Sequence, residues 1–260
     1  MGVLNVTPDS FSDGGRFLDV DAAVAQGVRL WDEGVDWLDV GGESTRPGAA
    51  PLSVDEEIAR VVPVLTALHA RLPDATLSID TRRTAVARAA LDAGASVVND
   101  VSACADDGMA ALVASRGVRV GLMHSRGDPT TMASLTHYDD LVGEVCAALK
   151  ARADAVHAAG VPRDHIALDP GLGFAKAPLD NPKLIAALPA LAALGYPVLI
   201  GASRKRFIGV LTGVDAASDR VHGSIGAAIA AVSRGAHLIR VHDVSATIQA
   251  IRTWRACVDA

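Results

Sequence analysis

The chain contains few aromatic residues and has no extended run of positive charge. Phe, Trp and Tyr together make up 3% of its 260 residues, so the core must be aliphatic and nucleic-acid bases would find few rings on which to stack. The net charge is −6, and the longest basic run is Arg204-Lys205-Arg206. Because the electrostatic footprint of a nucleic-acid-binding protein is missing, we expect no nucleic-acid partner.

The chain also has few cysteines and no long apolar run. Cys104, Cys146 and Cys257 lie far apart and form no CxxC pair, which favours free thiols in a reducing compartment over a disulfide or a metal site. No stretch of about 18 apolar residues is free of charges and helix breakers, so we predict no membrane span. The N-terminus lacks a basic region and a cleavage site, and the cytoplasm is the expected location.

Short apolar runs alternate with longer helical stretches along the whole chain. They are continuous and rich in β-branched residues, as expected of parallel strands that are buried on both faces. Eight such units without a linker predict an α/β fold with one domain over residues 1–260, a (β/α)8 TIM barrel, although an open doubly wound sheet is the alternative. The eight predicted strands are Gly2–Asn5, Trp37–Val40, Thr76–Asp80, Ser96–Asn99, Val118–Met123, Ile166–Asp169, Pro197–Ile200 and Leu238–Val241.

Residues typical of helix ends separate these strands. Ser53 and Glu56 have capping-box spacing and predict the start of a helix over Ile58–Leu72. Asp180–Pro182 predicts a capped start for a helix over Leu184–Leu194, which Gly195 would end. Further helices are predicted to end at glycines that tolerate the left-handed conformation, namely Gly34, Gly94 and Gly160.

Polar or ionisable residues lie at, or just after, the carboxyl ends of the predicted strands. A barrel gathers these ends around one mouth, so the side chains converge whatever their separation in sequence. One such residue is more often a helix cap, but a whole set of buried charges is costly unless each has a partner. The set therefore predicts a site at the mouth, and it consists of Asn5, Asp39, Glu43, Asp80, Asn99, Asp100, His124, Asp169, Ser203, Lys205, Arg240 and His242.

The loops at this predicted mouth are long and rich in glycine. Segments 5–15 and 41–48 are polar and punctuated by glycine and proline, and such loops on a rigid barrel usually carry function. Segment 201–206, together with Arg240 and His242, lies where barrels often bind phosphate. The Gly-Leu-Gly of segment 168–174 does not match the dinucleotide fingerprint and does not open a helix.

Taken in order, these segments resemble the bacterial dihydropteroate synthases, a family of pterin-binding barrels. The resemblance covers the whole chain, although relatives usually carry further residues before the first strand, which here begins at residue 2. The motifs that carry it are GVLNVTPDSFSDGG at 2–15, GGESTRPG at 41–48, SIDT at 78–81, NDVS at 99–102, LMH at 122–124, LDPGLGF at 168–174, GASRKRF at 201–207 and RVHDV at 240–244.

The resemblance implies a transferase that joins 6-hydroxymethyl-7,8-dihydropterin pyrophosphate to p-aminobenzoate in folate biosynthesis. It implies that Asp169 binds the pterin ring with Asp80 and Asn99, and that Asn5 binds Mg2+. It also implies that Lys205 donates to the acceptor side of the ring near the p-aminobenzoate pocket, and that Ser203 binds substrate. Arg240 and His242 match the family's pyrophosphate site. Met123 and Phe174 would sandwich the ring, although plain core packing explains them equally well from the sequence.

The resemblance also assigns roles to the two long loops. Asp13 matches a residue close to the reacting pterin carbon, and Asp13, Lys205 and Arg46 are the implied catalytic residues. The loops are implied to close over p-aminobenzoate, with Phe11, Thr45, Arg46 and Pro47 as the contacting residues. The family is usually homodimeric, and the apolar stretch Ile225–Val232 is either an interface or a helix packed on its own strands.

Two other functions remain open from the sequence. A pterin-binding methyltransferase barrel shares the Asp and Asn residues of the pterin rim, but it would lack the Ser-Arg-Lys segment at 203–205 and the long first loop. A catalytically silent pterin-binding paralogue should have lost loop or anion-site residues, which this chain retains. Pyrophosphate release with and without p-aminobenzoate separates these alternatives.

Overall fold

The computed structural model describes residues 1–7, 20–44 and 52–260. All eight predicted strands are present, with boundaries within two residues of those predicted. In chain order the strands are β1 (Gly2–Asn5), β2 (Trp37–Gly41), β3 (Thr76–Asp80), β4 (Val97–Asp100), β5 (Arg119–Met123), β6 (Ile166–Asp169), β7 (Leu199–Ile200) and β8 (Leu238–Ile239).

Helices follow the strands in the alternation that the sequence predicts. Short 3-10 turns at Met132–Ser134, Arg163–His165 and Ala217–Asp219 interrupt the connections. The α-helices of the described residues are α1 (Val20–Asp32), α2 (Val54–Arg71), α3 (Thr84–Asp92), α4 (Met109–Arg116), α5 (Leu141–Ala158), α6 (Asp180–Ala186), α7 (Leu188–Ala192), α8 (Arg206–Thr212), α9 (Val221–Val232) and α10 (Val244–Val258).

The strands form a closed parallel ring. β1 to β6 pair in chain order, and β7 pairs with β8. The amide of Leu168 donates to the carbonyl of Pro197 over 2.8 Å, which joins β6 to the β7 segment. The amide of Val3 donates to the carbonyl of Val241 over 2.9 Å, which joins β1 to the β8 segment. The predicted (β/α)8 barrel is therefore confirmed, and the open sheet is excluded.

The core is aliphatic, as the shortage of aromatic residues predicts. Leu38, Leu77, Ile79 and Leu122 on the strands are fully buried. Branched side chains of this kind fill the interior and the strand–helix layer of a parallel barrel. The rigid ring that results carries the functional loops at the carboxyl ends of its strands.

Most of the predicted helix ends are confirmed by backbone geometry. The Ser53 hydroxyl accepts from the amide of Glu56 over 3.2 Å, and the Glu56 carboxylate accepts from the amide of Ser53 over 2.9 Å. This reciprocal pair is the predicted capping box at the start of α2. Gly34, Gly94 and Gly160 adopt φ values of 93°, 106° and 110°, so each supplies the left-handed residue expected there.

The prediction of a single helix over Leu184–Leu194 is wrong. The structure has two short helices, α6 and α7, and Asp180 is the first residue of α6 rather than its cap. Pro189 favours the break, because it lacks an amide hydrogen and its ring would clash with a preceding carbonyl, although α2 continues through Pro63. Proline is tolerated in the first turn of α7, so the second helix restarts around it. Gly195 ends this region with φ 80°, as predicted.

The structure also bears on the predictions about the cysteines and about membrane-spanning segments. All three cysteines are free thiols, with Cys104 buried, Cys146 half-buried and Cys257 exposed. Across residues 1–7, 20–44 and 52–260, the structure contains no helix that combines the length and the apolar character needed to cross a membrane.

Candidate active site

The carboxyl ends of the strands bring the predicted polar residues to one mouth of the barrel. Asn5 on β1 is in register with Gly41, Gly41 with Asp80, and Asp80 with Asn99. Further round the ring, Met123 is in register with Asp169. Side chains that the sequence separates by more than 160 residues therefore share one site.

Arg240 connects three strands at the centre of this mouth. Its Nε donates to Asp39 Oδ2 over 2.6 Å, and its Nη2 donates to Asp80 Oδ2 over 2.7 Å. Asn99 Nδ2 donates to the same Asp39 oxygen over 3.2 Å. Asp39 is completely buried, and a buried carboxylate is tolerable only with partners of this kind. Arg240, which the sequence assigns to the anion site, is thus also part of the barrel's internal ion-pair network.

Two carboxylates share the single guanidinium, and their ionisation reflects this. Burial raises the pKa of Asp80 to about 7, and the charge of Asp39 adds to the rise while Arg240 opposes it. Burial lowers the pKa of Arg240, but Asp39 and Asp80 raise it by more, so the guanidinium remains charged. Asp39 Oδ1 is buried without a hydrogen-bond partner in the described part of the chain.

Asp39 is a site residue whose position near a strand end could be predicted from the sequence but whose role could not. It lies in the middle of β2, in register with Val3 and Ser78. The sequence signal was a single carboxylate inside an otherwise apolar strand, which is costly unless a cation reaches it. The cation lies 201 residues away, so only the closed ring reveals the pair.

Asp169 ends β6 and points into the mouth. It is 7% exposed, and its Oδ1 accepts a hydrogen bond from the amide of Gly171 over 2.7 Å. Burial raises its pKa, while the Gly171 amide and the charge of Lys205 act in the opposite direction. Gly201 adds no side chain to the space beside it, where a Cβ would lie 4.0 Å from Asp169 Oδ2 and 3.9 Å from Arg240 Cβ.

The turn after β6 requires glycine at position 171. Gly171 has φ 70°, and a Cβ there would lie 2.0 Å from the carbonyl oxygen of His124. A residue with a Cβ cannot approach that carbonyl so closely, so the position requires glycine. The Gly-Leu-Gly sequence therefore serves to pack the β6 turn against the end of β5, in agreement with the rejection of a dinucleotide fingerprint.

Met123 and Phe174 form apolar walls beside Asp169. Met123 is buried at the end of β5, and Phe174 is half-buried in the loop after β6. Lys205 Nζ lies 4.1 Å from the centroid of the Phe174 ring, within cation–π range. Met123 and Phe174 also line a cavity of about 830 Å3 that extends past Val101 and His124.

Ser203 and His242 form a polar pair where β7 and β8 end. The Ser203 hydroxyl lies 3.0 Å from His242 Nδ1 and accepts from the His242 amide over 3.2 Å. Burial lowers the pKa of His242 to about 4, and the charges of Arg240, Arg204 and Lys205 lower it further, in that order. A neutral imidazole surrounded by cations is an electrostatic environment suited to an anion.

Arg204, between Ser203 and Lys205, has a strained backbone conformation. Its φ is 60°, which is unusual for a residue with a side chain. The guanidinium binds the Asp243 carboxylate through Nε and Nη2, and the Arg204 amide donates to Ser224 Oγ over 2.9 Å. These contacts stabilise the turn that carries Ser203 and Lys205.

Two of the polar strand-end residues serve loops rather than the mouth. Asp100 accepts from the amides of Ser102 and Cys104 over 2.7 and 2.9 Å and so caps the turn after β4. Glu43 pairs with Arg82 and Arg83 over 3.2 and 2.9 Å at the start of the second long loop. Strand-end position alone did not separate these anchors from the residues that face the mouth.

Five predicted site residues, Phe11, Asp13, Thr45, Arg46 and Pro47, lie outside the described residues. Asn5, the predicted metal ligand, is half-buried at the end of β1. The described residues contain no group of three or more His, Cys, Asp or Glu side chains arranged to hold a metal ion.

Known proteins match this chain over almost its whole length. The family model described as "Pterin binding enzyme" matches residues 1–242. The dihydropteroate synthase of Neisseria meningitidis serogroup C is 48% identical over 98% of this chain and 91% of its own length. The Xanthomonas albilineans dihydropteroate synthase with 4-aminobenzoic acid is 49% identical, with a TM-score of 0.94 over 100% of this chain and 92% of that one. The same enzyme in complex with 7,8-dihydropteroate gives a TM-score of 0.91 at 46% identity, over 100% of this chain and 93% of that one.

These matches agree with the barrel and with the polar mouth described above. A full-length likeness at nearly half identity leaves no large segment that belongs to another family. The chain therefore belongs to the pterin-binding enzymes and, among them, to the dihydropteroate synthases.

Proposed function

We propose that this barrel condenses 6-hydroxymethyl-7,8-dihydropterin pyrophosphate with p-aminobenzoate, giving 7,8-dihydropteroate and pyrophosphate. The observation that carries the proposal is the buried Asp169 carboxylate, which lies in register with Met123 and on which the charges of Lys205, Lys176 and Arg240 act. Family membership supports the reaction type, because the related enzymes are transferases of folate biosynthesis.

In this proposal the pterin ring lies between Met123 and Phe174, with its donor edge on Asp169. A carboxylate matches two adjacent N–H donors, and burial strengthens such a charge-assisted pair. Asp80 and Asn99 complete the polar rim, and Lys205, held 4.1 Å above the Phe174 ring centroid, donates to the acceptor edge of the ring. In this arrangement Met123 and Phe174 give the proposed site its shape, and the Asp169 carboxylate orients the pterin ring within it.

The pyrophosphate group is proposed to bind at the ends of β7 and β8. His242 and Ser203 lie there, and the charges of Arg240, Arg204 and Lys205 all act on His242. An anion bound there raises the pKa of His242, because its negative charge favours the imidazolium form and opposes the effects of burial and of the nearby cations.

Asn5 is the proposed protein ligand for Mg2+. Its amide oxygen is a hard donor at the end of β1, and Mg2+ keeps most of its waters, so a site with one protein ligand suits this ion better than a multi-carboxylate cage. When bound, the ion would neutralise charge on the departing pyrophosphate. The prediction rests on the family resemblance and on this donor chemistry.

The proposed chemistry breaks the C–O bond between the pterin methylene and pyrophosphate, and the electron pair leaves with the pyrophosphate. The amine of p-aminobenzoate then forms the new C–N bond and loses one proton to solvent. Asp13 is proposed to stabilise positive charge on the methylene carbon. Phe11, Thr45, Arg46 and Pro47 are proposed to enclose p-aminobenzoate and exclude water, which would otherwise trap the carbon.

The test is to incubate the purified chain with pterin pyrophosphate and Mg2+ and to measure pyrophosphate and dihydropteroate. We expect both products in equal amounts, and only when p-aminobenzoate is present at comparable concentration. Binding of pterin without any product would indicate a silent paralogue. In a separate incubation with a methyl-bearing reduced pterin as donor, loss of its methyl group without any pyrophosphate release in the first assay would indicate the methyltransferase alternative.

The proposal extends to the organisation and location of the chain. We propose one domain over residues 1–260, a homodimer as is usual in the family, and a cytoplasmic location, which the three free thiols favour. Light scattering coupled to size-exclusion chromatography tests the dimer, and a monomer at micromolar concentration would contradict it.

A further inference from the structure

A buried lysine that none of the roles above uses lies behind the pterin walls. Lys176 follows β6 by seven residues and is 6% exposed. Its Nζ donates to the carbonyl of Phe174 over 2.8 Å and to the carbonyl of His124 over 3.3 Å, and it lies 3.0 Å from His124 Nδ1. In its protonated form the amine has three donors, and here each of them has an acceptor.

The contacts of this ammonium group join two different parts of the barrel mouth. His124 directly follows Met123 at the end of β5, and Phe174 lies in the loop after β6. The two residues that Lys176 contacts are therefore the second wall itself and the immediate neighbour of the first wall. A single side chain thus links the end of β5 to the loop that carries Phe174.

The loop that carries Phe174 needs such an anchor. Ala175 has φ 48°, a left-handed conformation that a residue with a Cβ adopts only under constraint. Tyr138 supports the loop from outside, with its hydroxyl donating to the carbonyl of Ala175 over 2.9 Å. Asn181 accepts from the amide of Gly173 over 2.6 Å and donates to the carbonyl of Ala177 over 2.9 Å. Lys176 is the member of this set that reaches across to β5.

We propose that Lys176 is a positioning residue, which ties the end of β5 to the loop after β6 and so fixes the spacing of Met123 and Phe174 for the pterin ring. His124 is its partner, with the Nδ1 lone pair as acceptor and the proton on Nε2. The inference rests on the proposed pterin slot, whose walls it explains.

The electrostatics of the pair agree with this geometry. Burial lowers the pKa of His124 to about 3, with Lys176 as the next largest cause, so the imidazole is neutral and able to accept. The charge of Lys176 also favours the ionised form of Asp169. A merely space-filling role would not need an ammonium here, because an apolar side chain in a buried position is commonly at least as stabilising.

The experiment compares Lys176→Met with wild type in steady-state assays in which each substrate is varied separately. We expect the KM for pterin pyrophosphate to rise by at least about tenfold, with kcat and the KM for p-aminobenzoate within about threefold, because only the slot geometry changes. Lys183→Met is the matched control, since Lys183 is exposed on α6 and, among the described residues, forms its salt bridge with Asp180. It should leave all three parameters unchanged.

A second pair of variants tests the same inference if Lys176→Met folds poorly. Asn places a side-chain oxygen near the position of a histidine Nδ1, so His124→Asn retains the third acceptor and His124→Leu removes it. We expect pterin affinity, measured by direct titration, to fall by about threefold or more in His124→Leu and to stay close to wild type in His124→Asn.

Two outcomes would overturn the inference. One is a folded Lys176→Met enzyme with wild-type KM for the pterin substrate. The other is equal pterin affinity in the two His124 variants. A wild-type chain that makes no dihydropteroate would instead overturn the proposed function, while the titrations of pterin still report on Lys176.

Discussion

The guanidinium Nε of Arg240 donates to Asp39 Oδ2 over 2.6 Å and links β8 to the inside of β2. Asp39 is completely buried, so Arg240→Ala leaves a carboxylate in the barrel without its cation. We expect the free energy of unfolding to fall by about 3–5 kcal/mol, as for other broken buried ion pairs. Urea titration measures this. Adding Asp39→Asn to Arg240→Ala should recover part of the loss, and additive effects would mean that the two residues do not interact.

Asp169→Asn should abolish tight pterin binding. The substitution replaces one acceptor oxygen with a donor that faces the donors of the ring, and it removes a buried charge-assisted pair. We expect a loss of about 2–5 kcal/mol in binding free energy, with the barrel still folded. Titration with a pterin that lacks phosphates measures it directly, and an affinity within about threefold of wild type would remove Asp169 from the site.

Pyrophosphate binding should be accompanied by proton uptake at His242. In the free protein the pKa of His242 is lowered to about 4, so the imidazole is neutral near pH 6. An adjacent anion raises this pKa, and a group whose pKa rises on binding takes up protons. Affinity should therefore fall as the pH rises through the pKa of the bound state.

Calorimetry in buffers of different ionisation enthalpy measures the uptake. His242→Ala should bind pyrophosphate with fewer protons taken up than wild type, whereas His222→Ala, at an exposed position on α9, should match wild type. Equal uptake in His242→Ala and wild type would show that the proton goes elsewhere. Equal loss of affinity for pterin with and without phosphates would mean that His242 is structural.

Lys176 should make the stability of the protein depend on pH in the alkaline range. Burial is the largest cause that lowers its pKa from 10.5 to about 7, and Asp169 acts against it. Between these two pKa values the unfolded chain binds more protons than the folded one, so the free energy of unfolding rises with pH. The rise approaches about 1.4 kcal/mol per pH unit for a single group.

The comparison of wild type with Lys176→Met from about pH 8 to about pH 10 isolates this contribution, because the carboxylates are ionised throughout. We expect wild type to gain stability over the variant as the pH rises. A stability difference that is independent of pH would show that Lys176 has an ordinary pKa in the folded protein.

Asp13→Ala tests the proposed chemistry of the first loop. Loop substitutions usually change stability by within about 0.5 kcal/mol, so the barrel should remain folded. If the carboxylate stabilises the reacting carbon, kcat should fall by about tenfold or more while pterin pyrophosphate still binds, since the interaction is strongest in the transition state. Loss of p-aminobenzoate affinity with nearly intact kcat would show instead that Asp13 only anchors the loop.

Several features of the fold could be predicted because they depend on local sequence. The capping box at Ser53 and the glycine ends at Gly34 and Gly94 follow from the few residues that surround them. The break before Pro189 could have been predicted from the same kind of evidence, since proline in a helix interior has a known local cost. Lys176 could not, because nothing near it in sequence indicates a buried cation.

The sequence by itself determined the order of strands and helices, the aliphatic core and the placement of polar residues at strand ends. These properties depend on periodicity and composition over short windows. The tertiary structure alone decided which polar residues meet. Asp39 and Arg240 pair across the closed ring, Lys176 joins His124 to Phe174, and Asp100 turns away to cap its own loop. The physical reason is that a buried charge is stabilised by whichever partner lies within hydrogen-bond distance, and in a barrel that distance is set by ring closure and not by separation along the chain.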